Sequence, residues 1–336
     1  MRPSVHGQEP QRKTLAACYP QSSGAVAALS DRLRHETSTR PCPVCATAAD
    51  TARVVHAERF DPARVGSFAF ASRKAPELMH WRLVECRTCG VLFASPAPRA
   101  ELLADAYRDA GYDSREEARY AGATYGRLVR RLRARLPADG GALDVGAGDG
   151  AFLEVLQASG FADVMGVEPS RAALDAADLA IKPLIREGVF AARDFEPGRL
   201  ALVSCLQTVE HLPEPLTVFN GAHALLRGGG ALLVVCHDRM AAVNRLLGRC
   251  SPIYDVEHLQ LFDPGSLRSL LERAGFEDIE IRPFANCYPL RYWMRLAPLP
   301  PRAKGGVIAA LDRAGLGARA LTVPVGNLAA VGWKRS

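Results

Sequence analysis

From residue 141 to residue 282, short apolar runs alternate with segments whose apolar residues recur every three or four positions. The short runs have the length of buried strands, and the spaced segments have the periodicity of amphipathic helices. Such an alternation predicts an α/β fold with a mostly parallel sheet and helices on both of its faces. The predicted strands are residues 142–145, 164–168, 184–185, 200–206, 231–236, 279–281 and, near the C-terminus, 328–333.

The helices between these strands are marked by their ends as well as by their periodicity. Gly160 follows the first apolar helix face at the position of a C-terminal cap. Asp263 and Pro264 supply an N-cap and a first-turn proline to a later helix. Two more helices are predicted at residues 171–180 and 216–226, and a run of three glycines closes the second.

The remaining sequence divides by composition into segments around this sheet. A polar, weakly periodic start predicts a flexible tail with one short helix near residues 24–34. A cysteine-rich unit follows, and then a helical linker in which Leu128, Leu132 and Leu136 share one face. The predicted domains are the tail at 1–39, the cysteine-rich unit at 40–98, the helical linker or lid at 99–139, and the sheet domain at 140–336 with a Pro- and aromatic-rich C-terminal insertion.

A glycine-rich turn joins the first predicted strand to its helix at residues 146–150. Glycines let the backbone turn tightly and approach a ligand, and the helix behind them offers unpaired N–H groups. Glu168 ends the second strand, where its carboxylate can accept hydrogen bonds from ribose hydroxyls. The turn also satisfies a loose dinucleotide-binding pattern. However, Asp144 and Asp149 bracket the glycines, which disfavours a pyrophosphate and suits a positively charged ligand.

With these residues in place, the sequence resembles class I S-adenosylmethionine-dependent methyltransferases. Residues 143–150 resemble their first motif, and residues 166–170 resemble their ribose-binding strand end. Residues 207–212 and 226–230 resemble the segments after the fourth strand and before the fifth. The resemblance implies a Rossmann-like sheet and S-adenosylmethionine as cofactor. The residues expected to bind it are Asp144, Gly146, Gly148, Gly150, Glu168 and Gln207. For the adenine contact, Asp194 and Glu187 are both candidates.

Four of the nine cysteines form two C-x-x-C pairs, Cys42/Cys45 and Cys86/Cys89. Two such pairs predict a tetrahedral structural Zn²⁺ site that leaves no open coordination position. A redox dithiol and a metal-free pair of turns are the alternatives. The cysteine-rich start followed by this sheet domain resembles bacterial methyltransferases with an N-terminal zinc ribbon. Many members of that group modify sugars, surface glycans or secondary metabolites.

The residues that follow the strands are the candidates for chemistry, because ligands bind beyond the carboxyl ends of parallel strands. His258 is the first choice for a general base, followed by His237 and His211, since histidine exchanges a proton near neutral pH. A structural, hydrogen-bonded role is the alternative for each histidine. Tyr107, Tyr112 and Tyr120 could cover the cofactor or pack between helices.

Charge and hydropathy limit where in the cell we expect the protein and which partners we expect it to bind. No run approaches the ~20 apolar residues of a membrane helix, and no apolar signal segment starts the chain, so we expect a cytoplasmic protein without membrane insertion. The net charge is +6, and five arginines cluster at positions 127–135. These arginines form either a solvated helix face or a surface that binds nucleic acid or an anionic substrate. The sequence carries no signal for oligomeric state.

Three functional hypotheses follow. We expect methyl transfer to a small-molecule or saccharide acceptor, with O-methylation favoured. An RNA methyltransferase is less favoured, because the cysteine-rich unit lacks the interleaved basic and aromatic residues of a nucleic-acid surface. A non-catalytic or dinucleotide-binding relative is the third hypothesis.

Overall fold

The computed structural model of the chain describes residues 24–72, 76–297 and 299–336. Most of the predicted N-terminal tail, including Cys18, lies outside these ranges. The described residues form a seven-stranded sheet, a four-stranded sheet and a pair of short strands. This arrangement confirms the α/β fold class.

The N-terminal part contains one helix and short strands, and the helix confirms the one predicted near residues 24–34. The elements are α1 (Gly24–His35), β1 (Thr37–Ser38), β2 (Arg53–His56), β3 (Leu83–Glu85), β4 (Leu92–Ala94) and β5 (Ala97–Pro98). In the four-stranded sheet, β2, β3 and β4 are joined by β11 (Gln260–Leu261), which pairs with β4. The sheet of the cysteine-rich unit is therefore completed by a segment that begins 166 residues after the end of β4.

The helical linker consists of α2 (Ala100–Arg108) and α3 (Arg115–Leu132). The face of α3 that enters the core carries Ala121, Tyr125 and Val129, while Leu128 and Leu132 are only partly buried. The predicted leucines therefore all pack against this core, with Leu136 buried, but the deepest positions of α3 lie one residue along from the predicted face. The reason is that α4 (Ala151–Ala158) packs directly on α3, and a Cβ at Gly122 would lie 3.2 Å from the Ala151 carbonyl oxygen.

The sheet domain follows the predicted alternation of strands and helices. Its remaining elements are β6 (Gly141–Val145), β7 (Val164–Glu168), α5 (Arg171–Ala176), β8 (Ile185–Glu187), β9 (Leu200–Leu206), α6 (Pro215–Leu225), β10 (Leu226–His237), α7 (Ala242–Leu247), α8 (Pro264–Arg273), β12 (Glu277–Pro289), α9 (Leu290–Leu296), α10 (Pro301–Arg313) and β13 (Ala320–Trp333). Among the described residues, no helix combines the length and the apolar character needed to cross a bilayer.

The seven strands lie in the order β12-β13-β10-β9-β6-β7-β8. Strands β6 to β10 run parallel, and β13 runs antiparallel to both of its neighbours. The chain moves outward from β6 to β8 and then crosses back to β9. The strand order therefore reverses between β6 and β9, which is where open parallel sheets bind ligands.

Both faces of the sheet are covered, as the continuous apolar strands require. On one face, Phe219 and Leu271 pack from α6 and α8. On the other face, Tyr125 and Phe152 pack from α3 and α4. The predicted cap of α8 is confirmed, because Asp263 Oδ1 accepts the Ser266 N–H and the Ser266 hydroxyl accepts the Asp263 N–H in return.

Two predicted element ends were wrong. The helix expected at 171–180 ends at Ala176, after which the chain turns so that Asp178 pairs with Arg119 on α3. The glycines at 228–230 lie in an irregular stretch at the start of β10 and do not close a helix. A Cβ at Gly230 would lie 3.0–3.1 Å from three backbone carbonyl oxygens, so the close strand approach requires glycine there.

The largest departure is at the C-terminus. The predicted strands at 279–281 and 328–333 are the inner halves of a long hairpin formed by β12 and β13. Only residues 327–333 of β13 pair with β10, so residues 320–326 project beyond the sheet edge together with the end of β12. The Pro- and aromatic-rich segment supplies the outer part of β12 and then α9. The prolines and aromatic residues of this segment interrupt the alternation of apolar and polar positions, so the sequence did not predict the outer part of β12.

Candidate active site

A cavity of about 660 Å³ opens at the carboxyl edge of the parallel strands. It collects the ends of β6, β7, β9 and β10, the two linker helices and the projecting hairpin. Its volume lies within the ~300–1,000 Å³ of small-molecule sites. Of the predicted cofactor and catalytic residues, all but one line this cavity. The exception is Gly150, which lies just behind it.

The three glycines of the turn serve different purposes, although all have positive φ. A Cβ at Gly146 would lie 2.5 Å from the Thr208 hydroxyl oxygen, and one at Gly150 would lie 2.3 Å from the Ile181 side chain. Both positions are therefore fixed by packing. A Cβ at Gly148 would meet no atom within 4 Å, because this residue faces the open cavity. Gly148 is thus the position where a ligand can approach the backbone.

Two buried carboxylates hold the turn in place. Glu168 accepts the N–H groups of Gly148 and Ser170, each at 2.8 Å, one with each carboxylate oxygen. Asp144 accepts the Ser204 hydroxyl at 2.6 Å. Each carboxylate oxygen has a second lone pair, so Glu168 can also accept hydroxyl donors from the cavity. The negative charge of this wall favours a cationic ligand.

The neighbouring walls are formed by residues that the sequence assigned only in part. Gln207 has a φ of 55° at the end of β9, and its Nε2 has no hydrogen-bond partner among the described residues. Tyr107 and Tyr112 line the cavity, as does the segment 188–190, whereas Tyr120 does not. The two candidates for the adenine contact do not line it either. Glu187 is exposed and paired with Arg171, and Asp194 pairs with Arg186.

The three candidate histidines come together on the other side of the cavity. The ring centroids of His211 and His258 are 5.0 Å apart, and those of His237 and His258 are 5.3 Å apart. They come from three segments, which follow β9, end β10 and precede β11. The Glu257 carboxylate lies 3.8 Å from His211 Nδ1, so positive charge in the histidine cluster is stabilised.

Hydrogen bonds through Nδ1 fix the histidine rings. His237 Nδ1 lies 2.7 Å from Asn327 Oδ1, and His258 Nδ1 lies 2.8 Å from the Ile253 carbonyl oxygen. Both partners are acceptors, so each Nδ1 carries the proton and each Nε2 carries a lone pair. Burial lowers the pKa of His237 to about 4, so this ring is neutral at physiological pH.

Tyr107 links the linker helices to the histidine cluster. Its hydroxyl lies 2.9 Å from His211 Nδ1 and 3.2 Å from the Glu257 carbonyl oxygen. Burial, followed by the nearby carboxylate of Glu257, raises the pKa of Tyr107 well above its ordinary value. This hydroxyl therefore stays protonated and acts as a donor.

Glu210 is fully buried beneath the histidine cluster. Its Oε1 accepts the His237 N–H at 2.6 Å, and its Oε2 has no hydrogen-bond partner among the described residues. Burial raises the pKa of Glu210 to about 7. Its backbone carbonyl accepts the N–H of Leu259 at 2.8 Å, which ties the segment after β9 to the segment that carries His258.

The segment 251–262, which carries Glu257 and His258, is attached to the cysteine-rich unit. Trp81 Nε1 donates to the Val256 carbonyl at 2.8 Å. Asp255 Oδ2 accepts the N–H of Glu77 at 2.8 Å. Ile253, Val256, Leu259 and Leu261 belong to the same apolar core as Trp81 and Leu83. The N-terminal unit therefore holds one wall of the cavity.

Among the described residues, two sets have the composition of metal sites. Cys42, Cys45, Cys86 and Cys89 place four sulfur atoms within 4.8 Å of one another, and two cross-pair distances are 3.4 Å. A tetrahedral Zn²⁺ with ~2.3 Å bonds needs sulfur atoms at about this separation, so the residues fit the ion. The hydrogen bond between the Cys89 and Cys42 thiols lowers the pKa of Cys42 to about 7 and raises the pKa of Cys89. The second set is His211, Glu257 and His258.

Sequence reasoning missed the residues contributed by the projecting hairpin. Asn286 and Asn327 are buried and line the cavity, and Asn327 orients His237. Neither residue lies next to a motif. The only signal in the sequence was one asparagine within each of two otherwise apolar or aromatic segments.

The Glu210 carboxyl gives a pH-dependent prediction for stability. Its ordinary pKa of 4.5 is raised to about 7 in the folded chain, so the folded chain retains a proton that the unfolded chain releases between these values. The contribution is fully present below pH 4.5 and is lost as the pH rises through 7. Glu210→Gln keeps an acceptor for the His237 N–H and removes the titration. We expect its free energy of unfolding, relative to the parent, to rise by about 3 kcal/mol between pH 4.5 and pH 8.

Urea unfolding at the two pH values measures this difference. Glu272→Gln, which alters an exposed carboxyl on α8, is the control and should show the same offset from the parent at both pH values. A pH-independent offset for Glu210→Gln would show that the buried carboxyl does not titrate in this range.

The sequence and the fold are both similar to those of known methyltransferases. Residues 114–281, half of the chain, match the profile of a methyltransferase domain family. The ubiquinone biosynthesis O-methyltransferase of Ralstonia nicotianae is 28% identical over 155 residues, which is 42% of this chain and 64% of that protein. The enzyme of the same name from Cupriavidus pinatubonensis is 28% identical over 172 residues, which is 44% of this chain and 66% of that protein.

The matched region thus spans just under two thirds of the length of these relatives. Among solved structures, a SAM-dependent methyltransferase from Archaeoglobus fulgidus aligns with 65% of this chain and 97% of its own, at 18% identity and a TM-score of 0.44. The profile match spans α3 and the sheet as far as the first residues of β12, and so includes the glycine turn, Glu168 and all three histidines. The chain therefore belongs to the class I methyltransferase domain family.

Proposed function

We propose that this protein transfers a methyl group from S-adenosylmethionine to a hydroxyl oxygen of a small molecule. The proposal rests on one observation, which is that two walls of the same cavity differ in their chemistry. One wall presents the open glycine turn and buried carboxylates, and the other presents three histidines. A donor and an acceptor bound against these walls would meet over the ends of β9 and β10.

The first wall suits the methyl donor. Gly148 leaves room for close approach, and Glu168 has lone pairs for ribose hydroxyls. Asp144 and Asp149 complement the ammonium and sulfonium charges. Gln207 offers an amide donor at the end of β9. Together with Gly146 and Gly150, which shape the turn, these are the residues we propose for cofactor binding.

The second wall suits activation of a hydroxyl group. His258 presents Nε2 as a base because its Nδ1 donates to the Ile253 carbonyl. The acceptor oxygen forms a bond to the methyl carbon as the carbon–sulfur bond breaks, and the hydroxyl proton passes to His258. The Glu257 carboxylate, which has an oxygen within 4.8 Å of a ring nitrogen of His258, stabilises the resulting imidazolium. His237, neutral because of its lowered pKa, accepts a hydrogen bond from a second O–H or N–H group of the acceptor, and His211 supports His258 through their ring contact.

The proposed acceptors are small molecules with a hydroxyl group, and RNA is not among them. The named relatives act in ubiquinone biosynthesis, so a phenolic hydroxyl joins the sugar and secondary-metabolite hydroxyls favoured by the sequence. Against an RNA substrate, part of the arginine cluster is used within the fold. Arg133 lies over Phe161 and donates to the Ser159 carbonyl, and Arg135 lies over Trp333.

A divalent cation is a second way to activate the acceptor. His211, Glu257 and His258 offer three ligand atoms within 4.8 Å of one another, a set that binds transition metals. In that case the imidazoles would be ligands and not bases. Activity that persists after chelation and is unchanged by added Mg²⁺, Mn²⁺ or Zn²⁺ supports the base mechanism.

We also propose that residues 40–98 form a zinc ribbon and that residues 99–139 connect it to the sheet domain at 140–336. The ribbon holds the segment 251–262 and thereby the wall that carries His258. Its four thiolates would saturate the ion, which therefore stabilises the fold and takes no part in methyl transfer.

Cofactor binding is tested at the glycine turn. Gly148→Val places a side chain in the ligand's path, and we expect it to abolish binding of S-adenosylhomocysteine measured by calorimetry. Gly160→Val is the matched control. Gly160 also has a positive φ and open space around it but lies outside the cavity, so this variant should lose stability and keep its affinity. Glu168→Ala should weaken binding by about 1.5–3 kcal/mol. Unchanged affinity in both site variants would contradict the proposed function.

The base is tested by single-turnover transfer from labelled S-adenosylmethionine to an acceptor found in a panel of phenols and sugars. We expect His258→Ala to lower the rate at least about tenfold while S-adenosylhomocysteine affinity stays within about threefold. His35→Ala, at an exposed position of α1, is the control. If His258→Ala, His237→Ala and His211→Ala all react at the parent rate, proton transfer to a histidine is not part of the reaction.

Metal analysis tests the zinc ribbon. We expect one zinc ion per chain and its loss in Cys86→Ser, with strong destabilisation, since structural zinc can contribute ~10 kcal/mol or more. Cys250→Ser, at an exposed cysteine outside the cluster, should keep the metal and the stability of the parent. Purified protein without zinc would contradict this proposal.

A further inference from the structure

Helix α9 presents apolar side chains to the cavity and two arginines away from it. Arg291 and Arg295 do not line the cavity, and because they are one helical turn apart they lie on the same side of the helix. The residues of α9 that do line the cavity are all apolar or aromatic, namely Leu290, Tyr292, Trp293, Met294 and Leu296.

The two arginines are paired with carboxylates at the start of α3. Arg291 Nη2 lies 2.5 Å from Glu116 Oε1. Arg295 Nη1 lies 3.3 Å from Glu117 Oε1, and Arg295 Nη2 lies 3.4 Å from Asp113 Oδ2. These contacts join two helices that are about 175 residues apart in the sequence. We name the five residues the latch.

The start of α3 borders the proposed cofactor wall. Ala118 and Gly122 of this helix line the cavity. A Cβ at Gly122 would lie 3.2 Å from the carbonyl oxygen of Ala151, which directly follows the glycine turn. The latch therefore connects α9 to the side of the cavity where we propose that S-adenosylmethionine binds.

On its other side, α9 is attached to the outer part of the projecting hairpin and to α10. The Arg291 N–H donates to the Gly317 carbonyl at 3.1 Å, and Trp293 Nε1 donates to the Leu321 carbonyl at 2.9 Å. The Arg291 guanidinium also lies 3.8 Å from the Asp312 carboxylate of α10. Any movement of α9 away from α3 therefore involves the outer part of the hairpin.

The hairpin is irregular at the level where it leaves the sheet. Pairing of β13 with β10 ends at Asn327. At the same level, the pairing of β12 with β13 shifts its register between Phe284 and Asn286, and Gly326 has a φ of 79°. A break in the ladder next to a glycine at positive φ is a point where the outer hairpin can rotate relative to the sheet.

The exposure of the latch suits contacts that break and form again. The Glu116 and Asp113 side chains are 46% and 47% exposed, and the two arginines are about one third exposed. Ion pairs of this kind are individually weak and are screened by salt. Glu117 is 8% exposed, so its contact with Arg295 is the least screened of the three.

From these contacts we infer that α9 is a lid, which the latch holds closed and which opens with the outer hairpin to admit S-adenosylmethionine and release S-adenosylhomocysteine. The inference rests on the proposed function and adds the control of ligand entry and release to it. A closed lid excludes water from the reacting groups. Weakening the latch should speed both entry and release, whereas damage to the binding site speeds release alone.

Surface plasmon resonance of the immobilised full chain with S-adenosylhomocysteine measures both rate constants. We expect Arg291→Gln and Glu116→Gln each to raise the association and dissociation rate constants about threefold, as befits one exposed ion pair. The variant that carries both substitutions should be no faster than either single variant, because each substitution removes the same ion pair.

Salt provides a second readout. S-adenosylhomocysteine has no net charge at neutral pH, so salt does not steer its diffusion to the protein. Raising NaCl from about 0.05 M to about 0.5 M should accelerate both rates in the parent chain, because the latch is screened. The same change should have little effect on a variant that carries both Arg291→Gln and Arg295→Gln.

Arg282→Gln is the matched control. Arg282 pairs with Glu280 on the same hairpin, and neither residue lines the cavity, so this variant should keep the parent rates. Unchanged rates in the latch variants, faster release without faster association, or effects of Arg291→Gln and Glu116→Gln that multiply would each overturn the inference while the proposed function stands. Failure of the parent chain to bind S-adenosylhomocysteine contradicts the proposed function, and the inference with it.

Discussion

Four hydrogen bonds from the Arg40 guanidinium hold together the segments that form the histidine wall. Nε donates to the Ala94 carbonyl of β4, and Nη1 donates to the Pro213 carbonyl after β9. Nη2 donates to the Leu259 carbonyl and to Gln260 Oε1. All four acceptors are neutral, and burial lowers the pKa of Arg40 to about 10. The charge is tolerated because four of the five guanidinium N–H groups donate to oxygen atoms.

The arginine link explains why the cysteine-rich unit and the sheet domain share their packing. Once Arg40 fixes Leu259 and Gln260, β11 pairs with β4 and completes the smaller sheet. Arg239 makes a second link, because its Nη2 contacts Glu85 at 2.8 Å and Asp263 at 3.0 Å. The cysteine cluster, the cap of α8 and the end of β10 are therefore joined by these contacts. A change at the cysteine cluster is expected to reach the cavity through these bonds.

The two halves of the cavity differ in the hydrogen bonding and the pKa values of their buried ionisable side chains. On the proposed cofactor side, Glu168 and Asp144 accept hydrogen bonds from backbone N–H and hydroxyl donors. On the histidine side, Glu210 has one oxygen without a partner, and burial raises its pKa to about 7. Burial likewise keeps His237 neutral. The first half is thus suited to a cation, and the second to a neutral hydroxyl that must lose a proton.

The sequence by itself determined the strand–helix alternation, the glycine turn, the acidic end of β7 and the pairing of the C-x-x-C knuckles. These features are local, because apolar periodicity, capping residues and glycine at positive φ act over a few neighbouring residues. The sequence also identified the three histidines as candidate active-site residues, since the carboxyl ends of parallel strands meet at one edge of the sheet. Only the tertiary structure decided the face of α3, the length of the β12–β13 hairpin, and the partnership of Asn327 with His237. Each of these depends on contacts between residues more than 20 positions apart, which leave no periodic signal in the chain.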